Sequence, residues 1–302
     1  MNERRRVLIT NDDGIAAPGL RRLAEAAVAH GLDVVVAAPL IEASGSGAAM
    51  GAYTSDGRVI IERTTLDGLA DVAAYGVAAS PSYVVVLALL SSFGQPPDLV
   101  LSGINLGANA GRAVLHSGTV GAALTAAAQG RPAMAVSLDV LSSLGNDDAA
   151  PGPTADELDD DADDEETVGL AAADHEDRNW ATATGLVSRL LPMLAEAPDG
   201  TVLNLNVPDL PPDRIRGLRR ARLARFGQVQ MAIAETGEDF VRISVEQSRF
   251  RHEPGTDLAW LAEGYATLTA IRPMTEVHDF QVPEWAEWAP PVSTGSWKRT
   301  AK

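Results

Sequence analysis

VLITNDDGIAAPGL, residues 7–20, decides how the whole chain is read. A short apolar run stops at Asn11, Asp12 and Asp13 stand side by side, and Gly14 leads into a helical pattern. This is the opening of a strand–turn–helix unit. Adjacent carboxylates repel unless something positive lies beside them. Within a strand their side chains point to opposite faces, but at the turn after it both can converge. A hard divalent cation such as Mg²⁺ or Mn²⁺ prefers oxygen ligands and keeps both acids charged. The same residue types also form ordinary turns with Asx-type hydrogen bonds, so the stretch alone leaves both readings open.

Working outward, short β-branched runs alternate with alanine-rich helical stretches. RVLIT (6–10), DVVVAAP (33–39), PDLVLSG (97–103), AMAVSL (133–138) and TVLNLNVP (201–208) read as strands. Helices are expected within 17–31, 117–130 and 179–197. Near-continuous apolar strands separated by helices predict an α/β fold, a parallel sheet covered on both faces. Ligands of such sheets sit at the carboxyl ends of the strands. NDDG, SGSG (44–47) and SGIN (102–105) all fall there.

Those strand ends carry the remaining candidate chemistry. Asn105 and Asn109 lie among glycines in LVLSGINLGANAG (99–111) and offer neutral oxygens and N–H donors. Ser117 and Thr119 open a helix, where unpaired N–H groups favour an anion, although capping explains them equally well. Ser44 and Ser46 stand in the loop after the second strand, but the glycine spacing there does not match a dinucleotide fingerprint. His116 alone of the five histidines sits among these motifs, as a proton donor or a pocket wall. Two acids, neutral oxygen ligands, an anion-binding helix start and no covalent nucleophile point to metal-assisted phosphoryl chemistry.

Composition narrows the field. The 302 residues are 46% hydrophobic and contain no cysteine, which removes disulfides and thiolate chemistry. Lys298 and Lys302 are the only lysines, so neither a Walker A nor a Schiff-base lysine lies in the body of the chain. No G-x-S-x-G or H-E-x-x-H motif occurs. The net charge is −17, but residues 147–177 carry 14 acids and no Lys or Arg, so all but three of those charges are local. A long nucleic-acid partner is not expected. Residues 142–177 are too acidic and too poor in apolar surface to order themselves, and a mobile loop is expected. Residues 209–254 lose the strand–helix alternation and read as irregular β structure or hairpins, with ETGEDF (235–240) as a turn. The arginine run at 214–225 suits phosphate or a subunit contact. The opening residues reach Asp12 too soon for a signal peptide, and no run of about 18 apolar residues spans a membrane. A cytoplasmic chain is expected.

Taken in order, ITNDDGIAAPGL, VVVAAP with Ser44 beyond it, PDLVLSGINLGANAG, HSGTVGAAL, LNLNVPDLP and GTDLAWLAEGYATLT resemble the SurE family of metal-dependent 5′/3′-nucleotidases, from about Arg6 to Pro273. The resemblance implies a Rossmann-like core (1–208), a β-hairpin arm (209–254), a return to the core (255–272) and a tail (273–302) packing on a neighbouring subunit of a dimer or tetramer. It implies one divalent ion, Mg²⁺ or Mn²⁺, on Asp12, Asp13, Ser44 and Asn105, with Asp12 and Asp13 catalytic. Asn11, Gly45, Asn109, Ser117, Gly118 and Thr119 would bind the phosphate of a nucleoside monophosphate. The chain departs from the family in three places: LIEASG (40–45) replaces a DRNRSG-like loop and lacks its arginines, GVAASPSY (76–83) replaces a GTPxDC-like segment, and His116 replaces a tyrosine. Reaction class is therefore better defined than substrate. A phosphatase of another metabolite or of polyphosphate, and a non-catalytic binding protein, are the alternatives.

Overall fold

The computed structural model describes residues 4–52, 54–140, 178–227, 229–236, 241–247 and 253–275, with only the backbone course for 229–236 and 241–247. The acidic segment 142–177 and the tail beyond 275 lie outside the described residues.

Strand β1 (Arg6–Thr10) is buried from Val7 onward. Its successive side chains supply two different cores, Val7 and Ile9 to one face and Leu8 to the other. Helix α1 (Pro18–Ala29) has proline in its first turn and buries Leu20, Leu23, Ala24 and Ala27. That spacing is the apolar stripe of a helix lying on a sheet. Strand β2 (Asp33–Pro39) follows. A small excursion, β3 (Thr54–Ser55), β4 (Arg58–Val59) and β5 (Ile61–Thr64), leads to β6 (Ala73–Val77) and α2 (Pro81–Leu89). Strand β7 (Leu99–Leu106), a 3₁₀ turn (Gly111–His116), α3 (Gly118–Ala128) and β8 (Ala133–Asp139) form the next unit. Helix α4 (Trp180–Ala195) and β9 (Val202–Pro208) continue it. Strand β10 (Leu218–Arg220), the antiparallel pair β11 (Val229–Thr236) and β12 (Val241–Gln247), α5 (Asp257–Ala262) and β13 (Ala266–Ile271) complete the described chain.

Nine strands form one sheet in the order β10-β13-β9-β8-β7-β1-β2-β6-β5. The six from β9 to β6 run parallel, and antiparallel pairings of β13 on β9 and β5 on β6 close the two sides. Helices α1 and α4 cover one face, α2 and α3 the other. The expected α/β fold with helices on both faces is therefore present. Each large side chain buried in the two cores contributes roughly 1.5–3 kcal/mol.

The topology selects one place on this sheet. From β1 the chain crosses over α1 to β2 on one side, whereas β7, on the other side of β1, feeds α3 on the opposite face. The loops after β1 and β7 diverge, and a crevice opens between them at the carboxyl ends of the strands. NDDG and the segment from Asn105 to Thr119 meet there.

The stretch 209–254 divides in two. Strand β10 joins the edge of the main sheet, while β11 and β12 pair with each other in a separate two-stranded sheet. Two arginines of the run stack on aromatic rings: Arg216 lies 4.7 Å from the ring centre of Tyr265, and Arg219 lies 4.5 Å from Tyr265 and 5.4 Å from Trp260. Arg219 thereby braces α5 through Trp260.

Candidate active site

Asn11 builds the turn that presents the two acids. Its side-chain amide donates to Gly14 O (3.0 Å), and its oxygen accepts the Gly14 N–H (3.2 Å). The Asx turn and the paired-acid reading are thus compatible. Asp12, only 4% exposed, points at the start of α3. Its carboxylate accepts the backbone N–H groups of Gly118 and Thr119 and the hydroxyl proton of Thr119. The helix start expected to bind substrate phosphate also holds a protein carboxylate. The dipole favours an anion there, and Asp12 is that anion. Ser117 caps the helix, its hydroxyl oxygen accepting the Val120 N–H at 3.1 Å.

Two glycines permit this approach. A methyl group on Gly118 would lie 2.7 Å from Asp12 Oδ2 and 2.8 Å from Ser46 Oγ. One on Gly121 would lie 2.1 Å from Gly47 O. Helix α3 therefore presses directly on both the acidic turn and the serine–glycine loop.

The two acids are not equivalent. Burial pushes the Asp12 carboxyl upward, opposed by the donors from α3. Asp13 accepts the Leu106 N–H, and burial, the Asp12 charge and the Glu42 charge push it up to about 8. Without a cation, Asp13 holds a proton at neutral pH. The loop after β2 is tied to the acids because Ala43 N–H donates to Asp12 O (2.8 Å). Ser44 reaches this end of the sheet, but its hydroxyl donates to Glu42 Oε1 (2.5 Å) and not to the aspartates. Gly45 stands in open space. The Ser46 hydroxyl is buried beside Gly118 and has no hydrogen-bond partner in the described structure.

Strand β7 shifts register against β8 between Ser102 and Asn105, the kind of irregularity that re-aims a side chain. Asn105 thereby donates to Gly107 O (2.8 Å), and its amide oxygen comes 3.2 Å from Thr119 Oγ1. Asn109 is occupied elsewhere. Its amide donates to Ser137 Oγ (2.9 Å), its N–H to Asn206 Oδ1 (2.8 Å), and its carbonyl accepts from Asn204 (2.8 Å) and Asn206 (3.0 Å). His116 is exposed at the rim, where its carbonyl accepts the Gly47 N–H (3.1 Å). The structure thus brings Asp12, Asp13, Asn105, Gly118 and Thr119 together, sets Ser44 and Gly45 beside them, and leaves Asn109 as a strut and His116 outside.

Four contributors were missed by the sequence reading. Glu42 stands in the altered loop and carries no signature of its own. Asn204 and Asn206 alternate on β9, where two fully buried amides are costly unless paired. That alternation was the available signal. Asp257 accepts N–H groups from Gly111 (2.7 Å), Ala224 (2.8 Å) and Leu258 (2.9 Å), anchoring the loop that follows Asn109.

The donor set suits a hard divalent cation. Every group converging on the crevice offers oxygen, and the single proton of the Thr119 hydroxyl faces two acceptors, Asp12 Oδ1 and Asn105 Oδ1. Lone pairs exceed protons, which a cation corrects. Among the described residues no three His, Asp or Glu side chains are arranged to hold a metal. The set is therefore two carboxylates with neutral oxygens, and Glu42 stands outside it.

Fold and site together define an α/β protein with a carboxylate-rich crevice at the switch point of its sheet. Residues 7–230 match the family described as survival protein SurE. The chain belongs to the SurE family. It is 34% identical over 272 residues to 5′-nucleotidase SurE of Stutzerimonas stutzeri, covering 88% of this chain and 92% of that protein. It is 32% identical over 287 residues to 5′/3′-nucleotidase SurE of Shigella dysenteriae, covering 93% and 96%. The crystal structure of the SurE protein from Aquifex aeolicus superposes with a TM-score of 0.60 at 27% identity, covering 88% of this chain and 93% of that one.

Proposed function

We propose that this chain is a metal-dependent phosphomonoesterase hydrolysing nucleoside monophosphates, with one Mg²⁺ or Mn²⁺ per subunit held by Asp12, Asp13, Asn105 and Ser44. The observation that carries the reading is the convergence of Asp12, Asn105 and Thr119 at the switch-point crevice, with Asp13 beside them. The named activities of the relatives agree with it. A divalent ion bound there supplies polarisation of a phosphate oxygen and neutralises developing charge.

The protein's own groups do the rest. Thr119 and the first N–H groups of α3 fix the Asp12 carboxylate in one orientation. Asp13, which burial and the neighbouring Asp12 and Glu42 charges disfavour as an anion, is the acid whose charge a bound cation would compensate most. Ser46 offers its unpaired hydroxyl to a phosphate oxygen. Hydrolysis breaks the ester P–O bond, forms a new one to the water oxygen, and delivers a water proton to the departing alcohol. Asn109 and Asp257 act by holding the loop after β7. The two-stranded sheet of β11 and β12 is marginal in water by itself, which supports a homodimer or tetramer in which a second copy covers it.

The test is turnover of nucleoside monophosphates and of a chromogenic phosphate ester with Mn²⁺ or Mg²⁺, before and after chelation. The reading expects chelator-sensitive release of phosphate and its loss by orders of magnitude in Asp12→Ala. Normal activity in that variant overturns the assignment.

A further inference from the structure

Next to the acidic crevice lies a cavity of about 630 Å³ that the reaction at phosphorus does not use. Its walls are the end of β2 with its following loop and the segment after β6; Ser44 and Ser46 stand on the side towards the metal ligands. Leu40, Ile41, Ala43, Ala52, Val77 and Ala79 make the lining largely aliphatic, and among the described residues no Lys, Arg or His contributes to it. Ile41 is 63% exposed at its edge, an apolar side chain left facing solvent. Among the described residues the one charge in the lining is Glu42, held against Ser44 by the 2.5 Å hydrogen bond. A cavity of this size takes a small ligand.

We propose that this cavity receives the leaving group and that Glu42 makes it selective, admitting the uncharged alcohol part of a phosphate monoester and rejecting leaving groups that are themselves anionic. The inference rests on the phosphomonoesterase reading and adds a substrate class to it. Nucleoside monophosphates fit, because the part beyond the ester oxygen is neutral and partly apolar. Nucleoside di- and triphosphates and inorganic polyphosphate do not, because they would bring at least one further phosphate beside Glu42. Among the described residues no basic side chain in the lining compensates that approach. Like charges set against each other at a binding site suppress the wrong partner, here on the order of tenfold for each added charge.

The experiment compares kcat/KM for adenosine 5′-monophosphate and tripolyphosphate in wild type and Glu42→Gln, a change in an exposed loop. In parallel, calorimetry measures binding of adenosine, which carries no phosphate, and of tripolyphosphate. The proposal expects wild type to favour the monophosphate by at least about tenfold, Glu42→Gln to narrow that ratio by about as much, and adenosine to bind and inhibit competitively. Equal turnover of tripolyphosphate by wild type overturns it, as does an unchanged ratio in Glu42→Gln. If wild type hydrolyses neither compound, the phosphomonoesterase reading fails. The binding comparison then still decides the selectivity, with adenosine bound and tripolyphosphate excluded supporting it and the reverse overturning it.

Discussion

Replacing Gly118 by alanine tests whether the contact between α3 and Asp12 is the centre of the site. The added methyl would stand 2.7 Å from Asp12 Oδ2 and 2.8 Å from both Asp12 Cβ and Ser46 Oγ, whereas ordinary contact begins near 3.4 Å. Either the carboxylate swings away or the helix start moves back. Overpacking of this kind costs about 1–3 kcal/mol, and alanine recovers about 0.5–1 kcal/mol over glycine inside a helix. The net loss of stability is therefore no more than about 2.5 kcal/mol, a shift of a few degrees for a chain of this size. Function should suffer far more, because a misplacement approaching 1 Å at a reacting centre lowers turnover about a hundredfold. The paired control is Gly185 in the interior of α4, where a methyl meets nothing within 4 Å. Gly185→Ala should stabilise by roughly 0.5–1 kcal/mol and leave turnover intact. Thermal unfolding and kcat/KM on a chromogenic phosphate ester with Mn²⁺ measure both effects. If Gly118→Ala turns over within about threefold of wild type, geometry at Asp12 does not control the chemistry, and the argument from close approach is wrong.

Three further outcomes follow from the same site. Asp13→Asn removes a charge opposed by Asp12 and Glu42; it should raise the unfolding midpoint of the metal-free chain at pH 8 and abolish the stabilisation that Mn²⁺ gives wild type, and a lower midpoint would contradict this. Both acids are raised above 3.8 in the fold, so the folded chain keeps protons that the unfolded chain has released. Metal-free stability should fall as pH climbs from about 4 to about 8 and then level off, with Asp13 setting the upper limit. Cation binding should correspondingly release protons at pH 6.5, and identical calorimetric heats in two buffers of different ionisation enthalpy would refute it. Asp257→Ala strands three buried N–H groups and should cost about 3 kcal/mol or more in urea unfolding, with Asp257→Asn recovering most of it; a loss under about 1 kcal/mol would remove its anchoring role.

Much of this protein was legible along the chain. Runs such as RVLIT and DVVVAAP can be buried on both sides only by a parallel sheet, and their limits agree with β1 and β2. The resemblance of NDDG, SGIN and HSGT to SurE motifs located the crevice before any coordinates. The excursion from β3 to β6 and the helix α2 were not read. PSYVVVLALL (81–90) is apolar all round, so its periodicity does not separate a buried helix from a strand.

The amino-acid order alone determined that strands and helices alternate, that two acids follow the first strand, and that cysteine and lysine chemistry are absent from the core. Tertiary structure decided which groups those acids meet. Thr119 lies 107 residues from Asp12 along the chain, and Asn206 lies 97 from Asn109. Crossover direction and strand register bring them together, and no local window contains either. That is why the α3 start meets Asp12, why Asn109 ties β7 to β8 and β9, and why Glu42, a lone acid in a loop, lines a cavity.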